Sequence, residues 1–496
     1  MYLFMGRELK MSSFSHLLAN YINEKKIKKY ALAQYCGIDR SSMYKIIDGK
    51  RNPPSFDIVQ RIAFFLQLTP FQQEEFFETY QILLAGRENY YRRKKVLDFL
   101  TNFKKNCNPY PISPTFDISS ALENLPETHV LNSRTEVYQA IIDAFSLESM
   151  RESGHLRLMI QPSYDFLSDS LVYLGNRAPN LQIDHIVCLD NHNALSSFRE
   201  DSNLDCLRRI LPLYTAVCTY RPYYYYGDMN LRQGAFQLLP YLLITSDDVI
   251  TFSKNLEKGI VFRNTDVKNL YLELYQEYLN NSRPLLVQAD DITHFITATK
   301  NVHCDASNEY SFQMEPCITA FLTEDILKKR LSSESSSRNK LIEVILEHSQ
   351  YAHKMLKEKN VCYIFSADGI KYFLETGLIS EYPSDLYSPL LPDERIYLMK
   401  QFLSCSDYVT FRMLKSNIGE VFGGITIYIT PISGYIQFLT ANKKLVYLNI
   451  KESGLLGTFW DFFDNMDETL YYSHETSVEL SRQIVRQFES RFSSSC

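Results

Sequence analysis

Four side chains on one face of a predicted helix share the ability to donate hydrogen bonds; they are Arg40, Ser41, Tyr44 and Lys45. A basic, exposed loop that contains Lys50 and Arg51 follows the helix. Side chains of this kind can donate hydrogen bonds to acceptor atoms and attract negatively charged groups. The residues therefore predict a binding site.

Two short helices joined at a glycine position these side chains. Apolar residues repeat at helical spacing on the inward face of each helix; they are Leu32, Ala33, Cys36, Met43, Ile46 and Ile47. Gly37 ends the first helix, because glycine tolerates the left-handed backbone that a sharp turn needs. Asp39 is a good N-cap for the second helix, and Gly49 follows its end. This pattern predicts a helix-turn-helix, the motif that places one helix in the major groove of DNA.

At these residues the chain resembles the XRE family of λ-repressor-like helix-turn-helix regulators. The pattern matches at Leu32, Ala33, Gly37, Ile38, Ser42, Met43, Ile46, Gly49 and Pro53, and continues through a helix over 55–66. The resemblance is confined to the N-terminal residues up to about 85.

The resemblance implies roles for individual residues. Arg40, Ser41, Tyr44 and Lys45 would face base edges, where an arginine or lysine bound to guanine is the commonest specific contact. Contacts with phosphates, which position without specifying sequence, would come from Lys29, Ser42, Lys50 and Arg51. Double-stranded DNA operators of this family tend to have two half-sites, so a homodimer is expected.

Charge is distributed unevenly along the 496 residues, although the net charge is −6. Residues 1–105 contain 18 basic and 10 acidic side chains, a balance of +8, whereas the remainder contains 34 and 48, a balance of −14. A basic head on an acidic body suits a protein whose N-terminal part alone contacts a polyanion. The apolar fraction of 45% is that of a globular chain, and no apolar run is long enough to span a membrane.

The sequence predicts four regions. They are a helix-turn-helix domain (11–85), a helix with a proline-rich linker (86–126), and the two halves of a large body (127–331 and 340–490). Short apolar runs bounded by turn residues predict strands throughout the body, and helices lie between them. The fold class is therefore multidomain: an all-α λ-repressor-like head followed by an α/β or α+β body.

A faint internal repeat appears in the body. Residues Tyr241–Leu279 and Tyr435–Met466 both run as strand, polar turn, strand and helix. The body could therefore consist of two related halves, although two similar hairpins can also arise by chance.

No catalytic motif was found, and neither a cofactor nor a metal site is predicted. Ten cysteines are scattered without a C-x-x-C pair, so we expect reduced thiols in a cytoplasmic protein. His303, Cys304 and Cys317 lack a complete ligand set for a metal. The expectation is that the chain is not an enzyme.

The best candidate for a ligand site in the body is the segment over 220–228, in which Arg221 precedes Tyr223, Tyr224, Tyr225 and Tyr226. Four successive tyrosines are expected in a loop, since a strand or helix would not bury them all. Such a loop could line a ligand or an interface, but a loop packed over the body is the simpler interpretation.

Taken together, the sequence predicts a sequence-specific transcriptional regulator whose body senses a small-molecule or peptide effector or mediates assembly. Two alternatives remain open. One is a peptide-sensing regulator with an all-helical, tetratricopeptide-like body, against which the predicted strands argue. The other is an enzyme fused to a DNA-binding head, which a cofactor bound to the purified protein would favour.

Overall fold

The structure is a computed structural model of the chain. It describes residues 13–107, 126–162, 165–190, 203–227, 239–289, 292–299, 308–332, 338–421, 423–440 and 444–493. The chain divides into two compact units, with the boundary between Lys95 and Val96. The domain limits given above stay predictions. The proline-rich linker, apart from its ends, lies outside the described residues, as do residues 333–337 between the two predicted halves of the body.

The N-terminal unit is all-helical, as the sequence predicts. Its helices are α1 (Ser13–Glu24), α2 (Lys29–Cys36), α3 (Arg40–Ile47), α4 (Phe56–Phe65), α5 (Pro70–Ala85) and the first part of α6 (Arg87–Thr101). Each of α1–α5 buries apolar residues in one core, where the ring of Phe14 stacks on that of Phe76 with centroids 4.8 Å apart. This packing positions α3.

The larger unit contains an eight-stranded mixed sheet. Its strands are β1 (Thr128–Leu131), β2 (His155–Met159), β3 (Gln182–Leu189), β4 (Thr219–Tyr226), β5 (Tyr241–Ile244), β6 (Val249–Phe252), β7 (Gly259–Phe262) and β8 (Arg283–Pro284). Their order is β1-β7-β6-β5-β2-β3-β4-β8, and only β2, β3 and β4 are parallel to one another. The accompanying helices are α7 (Phe103–Cys107), α8 (Arg134–Ser149), α9 (Asp165–Gly175), α10 (Asn203–Ile210) and α11 (Thr265–Asn280).

A seven-stranded mixed sheet follows. Its strands are β9 (Leu286–Gln288), β10 (Glu309–Phe312), β11 (Val361–Ser366), β12 (Thr410–Leu414), β13 (Thr426–Ile429), β14 (Gly434–Leu439) and β15 (Leu445–Ile450). Its helices are α12 (Ile292–Thr299), α13 (Glu324–Arg330), α14 (Arg338–Glu358), α15 (Ala367–Thr376), α16 (Pro392–Ser404), α17 (Ser453–Asp464) and α18 (His474–Ser493). The body is thus a mixed α/β structure, and an all-helical repeat body is wrong for this chain.

The two sheets have the same topology. From the opposite edge, the second sheet runs β9-β15-β14-β13-β10-β11-β12, which matches β1-β7-β6-β5-β2-β3-β4 strand for strand. The parallel and antiparallel pairings also match throughout. Even the edge contact recurs: β8 pairs with β4, and Tyr471 forms a bridge to Leu414 of β12.

This correspondence supports two related halves but corrects the expected alignment. The sequence matched Tyr241–Leu279 to Tyr435–Met466, which equates β5 and β6 with β14 and β15. By topology, β6 and β7 are the strands that correspond to β14 and β15. The alignment was wrong by one strand because a third antiparallel strand, β7, precedes α11 in the first half.

The tyrosine-rich segment is a strand rather than the expected loop. Tyr220 and Tyr224 of β4 are buried in the main core of the body, and Tyr223 and Tyr225 pack against a second cluster on the opposite face. Successive side chains of a strand point to opposite faces, so a sheet that is covered on both faces accommodates adjacent tyrosines.

The apolar runs that predict the other strands agree with the structure within one residue at each end; they are 156–160, 183–189, 241–244, 249–252, 259–262, 361–365, 409–413, 425–430, 435–439 and 445–450. The sequence did not predict β1, β8, β9 and β10. Of the helices in the described residues, none is long and apolar enough to cross a membrane.

Candidate nucleic-acid interface

The turn between α2 and α3 is built on Gly37. Its φ is 71°, in the left-handed region that glycine adopts without strain. The amide of Gly37 donates to the carbonyl oxygen of Gln34 and that of Ile38 donates to Ala33, each at 3.2 Å. These bonds close the end of α2 and direct the chain into α3.

Helix α3 is capped at its start and buried along one face. The side chain of Asp39 accepts a hydrogen bond from the amide of Ser42 at 2.8 Å, and bonding to Ser42 lowers the pKa of the Asp39 carboxyl. Met43, Ile46 and Ile47 are buried in the core of the N-terminal unit. The sequence prediction for this helix, including its cap and its inward face, is confirmed.

A contact from α1 also holds α3 in place. The hydroxyl of Ser15, which is buried, donates to the carbonyl oxygen of Ile46 at 3.1 Å. Because this bond reaches the last turn of α3 while Asp39 caps its first turn, both ends of the helix are restrained.

The opposite face of α3 presents the predicted base-reading side chains. Arg40, Ser41 and Lys45 are exposed and Tyr44 is half-buried. The Lys29 amine lies 5.3 Å from the centre of the Tyr44 ring, and the Arg40 guanidinium lies 5.5 Å from it. Both distances are within the range of cation–π attraction.

The Tyr44 ring therefore lies near two cations to which the family resemblance assigns different roles. Arg40 and Tyr44 are four residues apart on one helix, a spacing that brings side chains together, so this contact was accessible from the sequence. The approach of Lys29 depends on how α2 and α3 cross, and no local pattern predicts it.

The predicted phosphate-contacting residues lie around the two ends of α3. The guanidinium of Arg51 donates to the Ser42 hydroxyl at 3.0 Å. Lys50 is exposed and Lys29 is half-buried. The structure thus brings Ser42 and Arg51 into contact and leaves Lys50 on the surface, while the DNA-contacting roles of all these residues stay predictions.

The candidate ligand residues in the body have internal partners. Arg221 donates to Asp184 at 2.7 Å, and the Tyr226 hydroxyl donates to Glu452 at 2.6 Å. The role of Arg221 and of Tyr223 to Tyr226 in ligand binding stays a prediction. Cys317 lies within the described part of the chain, where no group of three potential metal ligands occurs; His303 and Cys304 lie outside it.

Comparisons with known proteins bear on the N-terminal unit. Residues 18–75 match the family model of the Cro/C1-type helix-turn-helix DNA-binding domain. Among curated proteins, none matches the chain. Among solved structures, TrmBL2, an archaeal chromatin protein reported to show a novel mode of DNA binding, covers 54% of this chain and 99% of its own at 11% identity, with a TM-score of 0.22. A likeness of that size supports no conclusion about the fold or the function of this chain.

The family match covers α2, α3 and α4 entirely, together with most of α1 and the start of α5. It includes the capped helix, the glycine turn and the exposed donors described above. The N-terminal region of this chain therefore carries a Cro/C1-type helix-turn-helix DNA-binding domain, consistent with its resemblance to the XRE family.

Proposed function

We propose that the protein is a sequence-specific transcriptional regulator that binds a double-stranded DNA operator through α3. The observation that carries this proposal is the exposed donor face of a helix whose ends and inner face are held by the domain. Arg40, Ser41, Tyr44 and Lys45 read base edges in the major groove, because such donors match the acceptors displayed there.

Phosphate contacts in this proposal come from Lys29, Ser42, Lys50 and Arg51. The Ser42–Arg51 pair offers two adjacent donors, since the serine hydroxyl accepts from Arg51 and keeps its own proton to donate. These contacts position the helix on the duplex and supply affinity that depends on salt.

The charge distribution favours DNA contact by the head alone. Residues 1–105 have a balance of +8 and the remainder −14. An acidic surface is repelled by phosphate, so the body is free to serve other purposes.

One head offers few base contacts, so we propose that the regulator acts as a homodimer on two half-sites. The body supplies assembly or signal input, through a small-molecule or peptide effector that binds it and alters the spacing of the two heads. In this proposal the body has no catalytic role.

The experiment that tests the proposal is selection from a pool of randomised DNA duplexes by the full-length protein. We expect enrichment of one motif, with two related half-sites if the dimer is correct. The double variant Arg40→Ala/Lys45→Ala should select no motif while keeping its fold, because both side chains are exposed.

Lys354→Ala is the matched control, since it removes an exposed positive charge from the body. It should select the same motif as the unmodified protein. Sequence-specific binding through α3 would be contradicted if the double variant selected the same motif. It would also be contradicted if the unmodified protein selected no motif.

A further inference from the structure

Part of one face of the second sheet, on β10, β13, β14 and β15, is polar although it is buried. Ser311, Tyr428 and Tyr435 lie opposite one another on β10, β13 and β14. In another such row, Thr426 pairs with Gln437, which pairs with Tyr447. Residues directly opposite one another share a face, so the two rows form a buried polar surface; Ser311, Thr426, Gln437 and Tyr447 are each less than 8% exposed.

The corresponding face of the first sheet is apolar. Its equivalent strands, β2, β5, β6 and β7, present one continuous row that consists of Leu158, Leu243, Ile250 and Val261. All four are fully buried. Since the topologies match, the fold itself does not require polar residues at this face, and the second half differs for another reason.

Three buried side chains around this surface have a polar atom that lacks a hydrogen-bond partner in the described part of the chain. They are Glu315 (Oε1), Gln437 (Oε1) and Tyr447 (hydroxyl). Their exposed fractions are 4%, 1% and 2%. Buried polar atoms are nearly always paired. All three atoms can accept a hydrogen bond.

The Glu315 and Gln437 side chains converge on two adjacent residues. The Ser380 hydroxyl donates to the second oxygen of Glu315, and the Gln437 amide donates to the carbonyl oxygen of Glu381 at 2.9 Å. The side chain of Glu381 accepts from the hydroxyl of Thr319. Two carboxylates and the polar face of the sheet therefore meet beside Ser380 and Glu381.

The backbone holds Glu315 at this position. Ser366 donates from its amide to the carbonyl oxygen of Met314 at 2.9 Å and caps α15 with its hydroxyl. A Cβ at Gly369 would lie 1.8 Å from that same oxygen, so only glycine permits this approach. The site lies beyond the carboxyl end of β10, the side of parallel strands at which α/β sheets bind ligands.

The site contains two acidic side chains, Glu315 and Glu381, without a basic partner. In the described residues, no lysine or arginine forms an ion pair with Glu315 or Glu381. Burial, together with the nearby Glu381 carboxylate, raises the pKa of Glu315 to about 8. The ionised form of a buried carboxyl is unfavourable without a compensating charge, so a cation that binds beside Glu315 would stabilise its carboxylate.

Aromatic rings border the same place. Tyr435 stacks on Tyr428 at 5.7 Å and lies 5.1 Å from Tyr447, measured between ring centroids. The Tyr382 hydroxyl donates to Thr319 at 3.4 Å. Tyrosine rings attract cations.

We propose that the second half of the body binds a small organic ammonium ion at the site formed by Glu315, Glu381, Gln437 and Tyr447. The ammonium group donates hydrogen bonds to the unpartnered acceptors and stabilises the carboxylate form of Glu315. As an effector this ligand rests on the function proposed above, but its binding does not require DNA.

The test uses full-length protein and titration calorimetry with n-butylammonium chloride, with n-butanol as the uncharged control. We expect saturable binding of the amine and at least tenfold weaker binding of the alcohol. At pH 7 Glu315 is protonated in the free protein, and the ammonium ion favours its carboxylate. Binding should therefore release nearly one proton, measured from the dependence of the heat on the buffer.

Glu315→Gln should weaken amine binding at least tenfold and abolish the proton release. Tyr447→Phe should weaken binding severalfold without loss of thermal stability, since its hydroxyl has no partner to lose. Asp385→Asn, which removes an exposed carboxylate from the neighbouring segment, should bind as the unmodified protein does. If Glu315→Gln is not folded, Tyr447→Phe decides the proposal.

The absence of saturable amine binding would overturn the site, as would unchanged affinity in both Glu315→Gln and Tyr447→Phe. Binding of the alcohol as tightly as the amine would overturn the ligand class. Failure of the DNA selection described above would overturn the proposed function but would not affect the ammonium site. The two proposals can therefore fail independently.

Discussion

The Arg51 guanidinium donates a hydrogen bond to the Ser42 hydroxyl across 3.0 Å. This bond connects the basic loop after α3 to the first turn of the helix, where Asp39 also bonds the Ser42 amide. Ser42 and Arg51, both predicted to contact phosphates, are therefore hydrogen-bonded to each other. The geometry around α3 leads to separate predictions for specificity and for salt dependence.

Two substitutions of Tyr44 should distinguish the contribution of its ring to DNA binding from that of its hydroxyl. Tyr44→Phe keeps the ring beside Lys29 and Arg40, so binding to random DNA should be retained while discrimination for the selected motif falls. Tyr44→Ala removes the ring as well and should weaken both. Fluorescence anisotropy measures the affinity of each variant for the selected and the scrambled duplex. Equal affinities of the two variants for both duplexes would contradict the role of the ring.

Lys50→Ala should weaken binding to all sequences alike. Its side chain is exposed in the loop, so we expect a phosphate contact that carries no sequence information. The slope of log K against log salt should become shallower by about one unit. A salt slope that matches that of the unmodified protein would remove Lys50 from the interface.

A fragment that spans residues 11–95 should fold and bind DNA more weakly than the full chain if the body supplies dimerisation. Its core residues lie within the N-terminal unit. Extension to residue 105 should reduce solubility, because Val96, Phe99, Leu100 and Phe103 belong to the core of the body. Circular dichroism and light scattering on both fragments test this, and equal DNA affinity for fragment 11–95 and the full chain would contradict dimerisation through the body.

The stability of the body should fall in mild acid because of His185. Its ring nitrogens lie 2.9 Å from the Tyr220 hydroxyl and 2.7 Å from the carbonyl oxygen of Ile160, and burial lowers its pKa to about 4. The unfolded chain takes up this proton near the ordinary pKa of 6.5, whereas the folded chain does so only near 4. Between these values the unfolded state binds more protons, so the free energy of unfolding falls as pH falls.

The expected loss from this residue is on the order of 3 kcal/mol between pH 6.5 and pH 4. Urea unfolding at several pH values measures it. His185→Gln, which has no titrating group, should show a shallower dependence on pH. An equal dependence in both proteins would assign the acid sensitivity to other groups.

Local sequence patterns predict the helices of the head well, because the residues that determine each helix lie close together in the sequence. The spacing of Met43, Ile46 and Ile47, the cap at Asp39 and the turn at Gly37 all lie within a dozen residues, and each agrees with the structure. Apolar runs likewise predicted most strands of the body. Strand β4 is not predicted from the sequence because its tyrosines pack against layers on both faces of the sheet, which the local sequence does not specify.

The ammonium site proposed in the body could not be found from local patterns. Glu315, Glu381 and Gln437 are far apart in sequence, and strand pairing and the segment after α15 bring them together. The one available signal was Gln437, a polar residue in an otherwise apolar strand. Two related halves could be predicted from the sequence, but with an alignment shifted by one strand, because the strands of the two sheets match in order while their sequences do not.

The most direct test of the central claim, that α3 reads base sequence, compares dissociation constants for the selected duplex and a scrambled duplex at one salt concentration. Arg40→Ala should weaken binding to the selected duplex by about 1–3 kcal/mol. On the scrambled duplex it should change binding no more than Lys354→Ala does. Equal loss on both duplexes would contradict base reading by Arg40 and, with it, the assignment of α3 as the recognition helix.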